Sequence, residues 1–166
     1  MSLFLSSLLH NQAQVHLKRI HRICESLLYN WSIRIPTDCT RAQMGRFGEK
    51  LAGRYCRKRL QYRIIARNWR FKRYELDLIC RDGGVLVFIE VRTRRADALV
   101  SGYYSVDRLK KARLELACKA YLRQMCCPTK HFRFDIIEVQ ILKSGRGEPR
   151  HYKNIELFHK HYRPKY

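Results

Sequence analysis

Carboxylates are scarce in this chain of 166 residues: 14 Asp and Glu stand against 35 Lys and Arg, leaving a formal charge of +21. That imbalance exceeds what solubility needs and points to an anionic partner, with nucleic acid first and an anionic membrane surface second. Long apolar runs are also missing. None approaches the roughly 20 residues of a membrane-spanning helix, so no transmembrane segment is expected. The opening "MSLFLSSLLHNQAQ" lacks the basic start and small-residue cleavage site of an export signal. The seven cysteines are odd in number and scattered, with no C-x-x-C pair. This excludes the usual zinc and dithiol motifs and fits reduced, buried thiols in a cytoplasmic protein. Cys126, Cys127 and His131 lie close in sequence, but a fourth metal ligand at sensible spacing is absent.

What is present suffices for one domain with a core, since 46% of the residues are hydrophobic. Residues 1–40, ending in "RIPTDCT", read as an N-terminal extension, helical or poorly ordered, and 41–166 as the domain. From Gln43 to Leu60, Phe47, Leu51, Tyr55 and Leu60 recur among Arg and Lys at helical spacing. "YRIIARNWRF" reads as a strand. "YELDLICRDGGVLVFIEVRTR" supplies two more, joined at Gly83 and Gly84, where glycine tolerates the positive φ of a tight hairpin. A helix is expected from Ser105 to about Gln124, capped by Ser105 or Asp107, with Val106, Leu109, Ala112, Leu116, Ala117 and Ala120 buried. "FRFDIIEVQIL" is a further strand, and "KSGRGEP" turns the chain into a short last segment. The order suggests a mixed sheet flanked by helices.

The hairpin raises the functional question, because three of the scarce acids lie in its apolar strands. A two-residue turn sets Asp82 against Val85, which places Asp77 opposite Glu90 and Glu75 opposite Arg92. Alternation then sends Glu75, Asp77, Glu90 and Arg92 to one face and Leu76, Leu78, Val87, Ile89 and Val91 to the other. Facing carboxylates with Cβ atoms about 5 Å apart repel unless something neutralises them. One reading is that neighbouring arginines do so. The other is an oxygen-ligated divalent cation, for which Mg²⁺ or Mn²⁺ is the natural occupant. The run "RYCRKRLQYRIIARNWRFKRY" adds interleaved cations and aromatics suited to a phosphate backbone and bases, among them Arg70 and Arg73.

On these residues the sequence resembles the YraN-like family of the restriction-endonuclease-like and Holliday-junction-resolvase-like superfamily. The motifs are "GRFGEKLAGRYC", "ARNWR", "ELDLI", "VFIEVRTR", "YYSVDRLKKARLELACKAYL" and "FRFDIIEV", covering roughly residues 43–158. The resemblance implies a three-layer α/β/α domain with a central mixed sheet that displays a D…E-x-K-like nuclease signature. It implies a metal-dependent phosphodiesterase acting on DNA rather than RNA, in recombination or repair, and many enzymes of that superfamily cut as dimers. Carried over, Asp77 and Glu90 are the metal carboxylates, Glu49 completes the metal shell, and Arg92 stands where the family has Lys. In such a mechanism Arg94 or Lys110 could hold a neighbouring phosphate, and Glu75, matching a family acid, tunes the site or bridges to Arg92. Tyr74 replaces the family's usual Gly before the acidic strand. Arginine keeps the charge of lysine but is effectively never deprotonated. The alternative is a nucleic-acid-binding protein that keeps the nuclease fold without turnover.

Overall fold

The computed structural model describes residues 34–36, 38–97, 108–125, 129, 131–159 and 162. The compact unit starts at Arg34. Ile35 is buried and its N–H donates to the Gly145 carbonyl. Helix α1 follows, spanning Arg41–Lys58. It opens on a capping box: Thr40 Oγ1 accepts from Gln43 N, and Gln43 Oε1 accepts from Thr40 N. The expected start at Gln43 lies two residues inside the helix. Its buried face is Gly48, Leu51, Ala52, Gly53 and Cys56, all small but Leu51, which lets the helix lie close to the sheet.

Strands β1 (Arg63–Phe71), β2 (Tyr74–Asp82) and β3 (Val85–Arg95) form an antiparallel meander. Helix α2 (Arg108–Gln124) precedes β4 (Phe132–Ile141), which pairs parallel to β3, and β5 (Gly147–Tyr152) closes the far edge antiparallel to β4. The sheet is five-stranded and mixed, in the order β1-β2-β3-β4-β5. This is the mixed sheet with helices expected from the element order, and it is consistent with the restriction-endonuclease-like fold that the resemblance implies.

Neighbouring side chains of β2 show how the helices divide the faces. Ile79 joins Leu86, Phe88, Phe134 and Ile136 in a core with Leu114, Ala117, Cys118 and Leu122 of α2. Leu78 points instead to a cleft bordered by Glu49 and Arg54 of α1. Burial of about a dozen fully enclosed Leu, Ile, Phe and Val side chains, each contributing roughly 1.5–3 kcal/mol, fixes this layering.

One expectation about α2 is overturned. Leu109 is 73% exposed and Leu116 43% exposed, and Ala112 is exposed as well. Two apolar stripes run along this helix, and the sheet takes the one carrying Leu114, Ala117, Cys118 and Leu122. That stripe holds the bulkier contacts, because Tyr121 beside it meets Trp69 and Phe88 edge-on at 5.3 and 5.7 Å. Ser105, Val106 and Asp107, expected as cap and first buried residue, lie outside the described residues, as do Cys126 and Cys127. No helix among the described residues is long and apolar enough to cross a membrane.

Candidate metal centre

The hairpin turn behaves as its glycines require. Gly83 adopts φ +54°, and Asp82 pairs with Val85. The β2–β3 ladder then runs in constant register to Leu78 opposite Ile89. One step further stand Asp77 and Glu90, and there the strands part. The Val91 N–H donates to Asp77 Oδ2 at 2.7 Å, so a side chain takes the place of a backbone acceptor. Asp77 thus lies at the opening of a fork between two central strands.

The fork has a cause in the neighbouring strand. Asn68 lies opposite Asp77, between the pairs Arg67 with Leu78 and Trp69 with Leu76, and it has φ +47°. Alternation breaks at this level: Leu76 joins the α2-side core, while Leu78 borders the α1-side cleft. The expectation that the two leucines share a face is therefore corrected. So is the pairing of Glu75 with Arg92. The β2–β3 ladder ends before reaching them, and Glu75 Oε1 instead accepts from Arg70 Nη2 at 2.8 Å and Nε at 3.1 Å across the β1–β2 pair.

Glu90 is buried on the α2 side, where Lys110 Nζ lies 3.2 Å and Arg92 Nη1 3.5 Å from its Oε1. Lys110 arrives there because it sits one turn before Leu114 on the buried stripe, continuing that stripe with a charge. Asp77 is half-buried, and Val91 N–H is its one hydrogen-bond donor among the described residues. Its carboxyl is pushed up to about 7, chiefly by burial and then by the charge of Glu90, with Glu49 adding to the rise and Lys110 opposing it.

Asp135 shows what a neutralised buried carboxylate looks like in the same chain. It is fully buried and meets Arg133 Nε at 3.1 Å, His151 Nε2 at 2.9 Å and the Asn154 N–H at 2.8 Å. Its donors satisfy it, so its place is structural. Asp77 has one donor and an acidic neighbour.

Glu49 projects from α1, one residue past the close approach of that helix to β3 at Gly48, where an added Cβ would meet the Thr93 hydroxyl. It borders two clefts. One, of about 700 Å³, also holds Arg41, Arg92, Arg94 and Arg95. The other, of about 520 Å³, holds Arg46, Lys50, Arg54, Arg57 and Arg67. No three Asp, Glu, His or Cys groups among the described residues already gather as a closed metal cluster. Asp77 and Glu90 form an open pair; Glu49, on α1, adds to the charge that raises Asp77 without gathering with them into a cluster. The donor set is all oxygen and its repulsion is only partly relieved, which suits a hard divalent cation.

The remaining expected residues are placed as follows. Arg94 is half-buried, donates to the Thr93 carbonyl at 2.8 Å, and is held below the usual arginine range by burial and then by Arg92. Arg70 is exposed and engaged by Glu75. Arg73 lies 5.8 Å from the Tyr74 ring at the β1–β2 tip. Sequence reasoning missed Glu138, which is buried, sits opposite Arg92 in the β3–β4 ladder and accepts from the Tyr152 hydroxyl at 3.2 Å. Its signal was present in "FRFDIIEV", where Phe134, Ile136 and Glu138 share a strand face.

A family model described as "Uncharacterised protein family UPF0102" matches residues 48–139. A UPF0102 protein of Symbiobacterium thermophilum is 40% identical over 104 residues, covering 63% of this chain and 87% of that one. Another, from Beutenbergia cavernae, is 34% identical over 112 residues, covering 68% and 94%. A third, from Geobacter sulfurreducens, is 37% identical over 111 residues, covering 67% and 86%.

Proposed function

The chain belongs to the uncharacterised protein family UPF0102, the YraN-like branch of the restriction-endonuclease-like and resolvase-like superfamily, and we propose that it is a metal-dependent phosphodiesterase acting on DNA. One observation carries the reading. In a chain with 35 Lys and Arg, Asp77 has no arginine or lysine at ion-pair distance among the described residues and faces Glu90 across a forked pair of strands. If the acids served only to balance the surrounding arginines, Asp77 would be paired as Glu75 is.

Mg²⁺ or Mn²⁺ would be held by Asp77 and Glu90, with Glu49 reaching in from α1. Such an ion supplies a water nucleophile of lowered pKa and polarises a phosphoryl oxygen. The protein's own groups do the rest. Val91 N–H orients the Asp77 carboxylate through its 2.7 Å hydrogen bond. Arg92, half-buried beside Glu90, presents a permanent positive charge to the phosphoryl oxygens. Lys110 offsets Glu90 from the α2 side, and in this reading its charge also serves a phosphate of the bound strand. Arg94 and Arg95 line the cleft that Arg41 and Glu49 border from α1. DNA is favoured over RNA by analogy with the superfamily.

The test is cleavage of labelled linear, flapped and four-way-junction DNA in Mn²⁺, Mg²⁺ or chelator. The native chain is expected to cut only with metal, and Asp77→Asn to bind without cutting. Arg92→Lys should stay within about tenfold of the native rate, and Arg92→Gln should lose about 10²-fold or more, as for removal of one charge-stabilising donor. Binding without cutting in every metal, by the native chain and by Arg92→Lys, would instead establish the non-catalytic alternative.

A further inference from the structure

Only part of the basic run 54–74 gathers in one place: Arg54, Arg57 and Arg67 do, and Arg70 and Arg73 do not. Arg70 is held by Glu75, while five cations that the hairpin argument did not use converge on the 520 Å³ cleft between α1 and β1. Arg46, Lys50, Arg54 and Arg57 fall at successive intervals of four, four and three residues along α1, so they form one ridge. Each step advances about 4.5–6 Å along the helix axis, comparable to the spacing of successive phosphates in an extended strand. Arg67 faces this ridge from β1. Its guanidinium packs against the helix at Gly53, where an added Cβ would overlap it, so the glycine makes room for a cation. None of the five has a carboxylate at ion-pair distance among the described residues.

The cleft also contains Glu49 and Leu78, and Leu78 is the residue next to Asp77. Its floor therefore leads to the forked strands. Taking the phosphodiesterase reading as its premise, we propose that this cleft is the track for the nucleic-acid strand on one side of the reacting phosphate, gripping the backbone through Arg46, Lys50, Arg54, Arg57 and Arg67. The occupant is a phosphate backbone, because a ridge of four regularly spaced cations faced by a fifth suits a repeating anion, and Leu78 is the one apolar residue in the lining to meet bases or acyl chains.

The experiment measures anisotropy of fluorescein-labelled duplex DNA across a salt series, in chelator so that nothing is cut. The triple variant Arg54→Gln/Arg57→Gln/Arg67→Gln is expected to bind at least tenfold more weakly. Its slope of log K against log salt should be shallower by about 2–3, at about 0.9 per lost phosphate contact. Lys111→Gln/Arg113→Gln, on the exposed side of α2, should change affinity less than twofold. Gly53→Ala should weaken binding as Arg67→Gln does and add nothing to it, because both displace one guanidinium. Equal losses in the cleft and control variants, or an unchanged salt slope, would overturn the proposal, as would cleft variants that lose anionic-vesicle binding and keep DNA binding. Cleavage by the native chain with undisturbed binding by the cleft variant refutes the track alone. Track-dependent binding without cleavage refutes only the metal reading.

Discussion

Glu75, Asp77 and Glu90 are near neighbours in sequence and meet three different fates. Glu75 is paired with Arg70, Glu90 is countered by Lys110 and Arg92, and Asp77 is left with a single backbone donor. The register that brought Asp77 to Glu90 was legible because two glycines fix the turn and period-two counting does the rest. The fork was not read from the sequence: it goes with a left-handed Asn68, a residue type that tolerates that backbone, but the apolar and β-branched residues around it read as an unbroken strand. A pH-dependent stability effect follows. The folded chain holds a proton on Asp77 up to about pH 7, whereas an unfolded Asp releases it near 3.8. The unfolded state then binds fewer protons, so the contribution of Asp77 to stability falls as pH rises through that window and is level above it. Asp77→Asn removes the penalty. In chelator at pH 8 it should stabilise the fold by about 1–2 kcal/mol, a figure discounted for the half-exposed setting, and the gain should shrink toward zero near pH 4. Urea titrations across pH check this, and a variant destabilised at pH 8 would contradict it.

Elements place these residues by close approach. Helix α1 carries Gly48, Ala52, Gly53 and Cys56 on its inner face, and Gly48 abuts Thr93 of β3. Glu49 and the cleft beside it depend on that contact. Gly48→Ala gains up to about 1 kcal/mol of helix propensity, but its new methyl overlaps the Thr93 side chain. A net loss of about 1–3 kcal/mol is expected, with Gly48→Ala/Thr93→Ala recovering most of it. Equal stability of Gly48→Ala and the native chain would show that the helix does not sit this close. The existence of both helices was readable from periodicity, but the buried face of α2 was not. Its sequence offers stripes through Leu109 and Leu116 or through Leu114 and Leu122, and the choice is made by Trp69, Phe88 and Phe134 on distant strands. The same rotation brings Lys110 onto Glu90, a carboxylate contact that the sequence did not suggest.

For the whole molecule, element order was enough to anticipate a mixed sheet with a helix connecting its parallel strands, because β3 and β4 need a crossover and only α2 is available. Charge was equally legible in total and not in placement. The +21 balance raises the expectation of a polyanion, but only packing shows that Arg70 is engaged while Arg54, Arg57 and Arg67 converge beside Glu49. The central claim is that Asp77 and Glu90 form a divalent-cation site. Calorimetric titration of the native chain with Mn²⁺, in two buffers of different ionisation enthalpy at pH 6.5 and 8, tests it most directly. One saturable site is predicted, with proton release at pH 6.5 that declines at pH 8, and with binding lost in Asp77→Asn and Glu90→Gln. Absence of saturable binding, or equal binding by the native chain and Asp77→Asn, would contradict the claim.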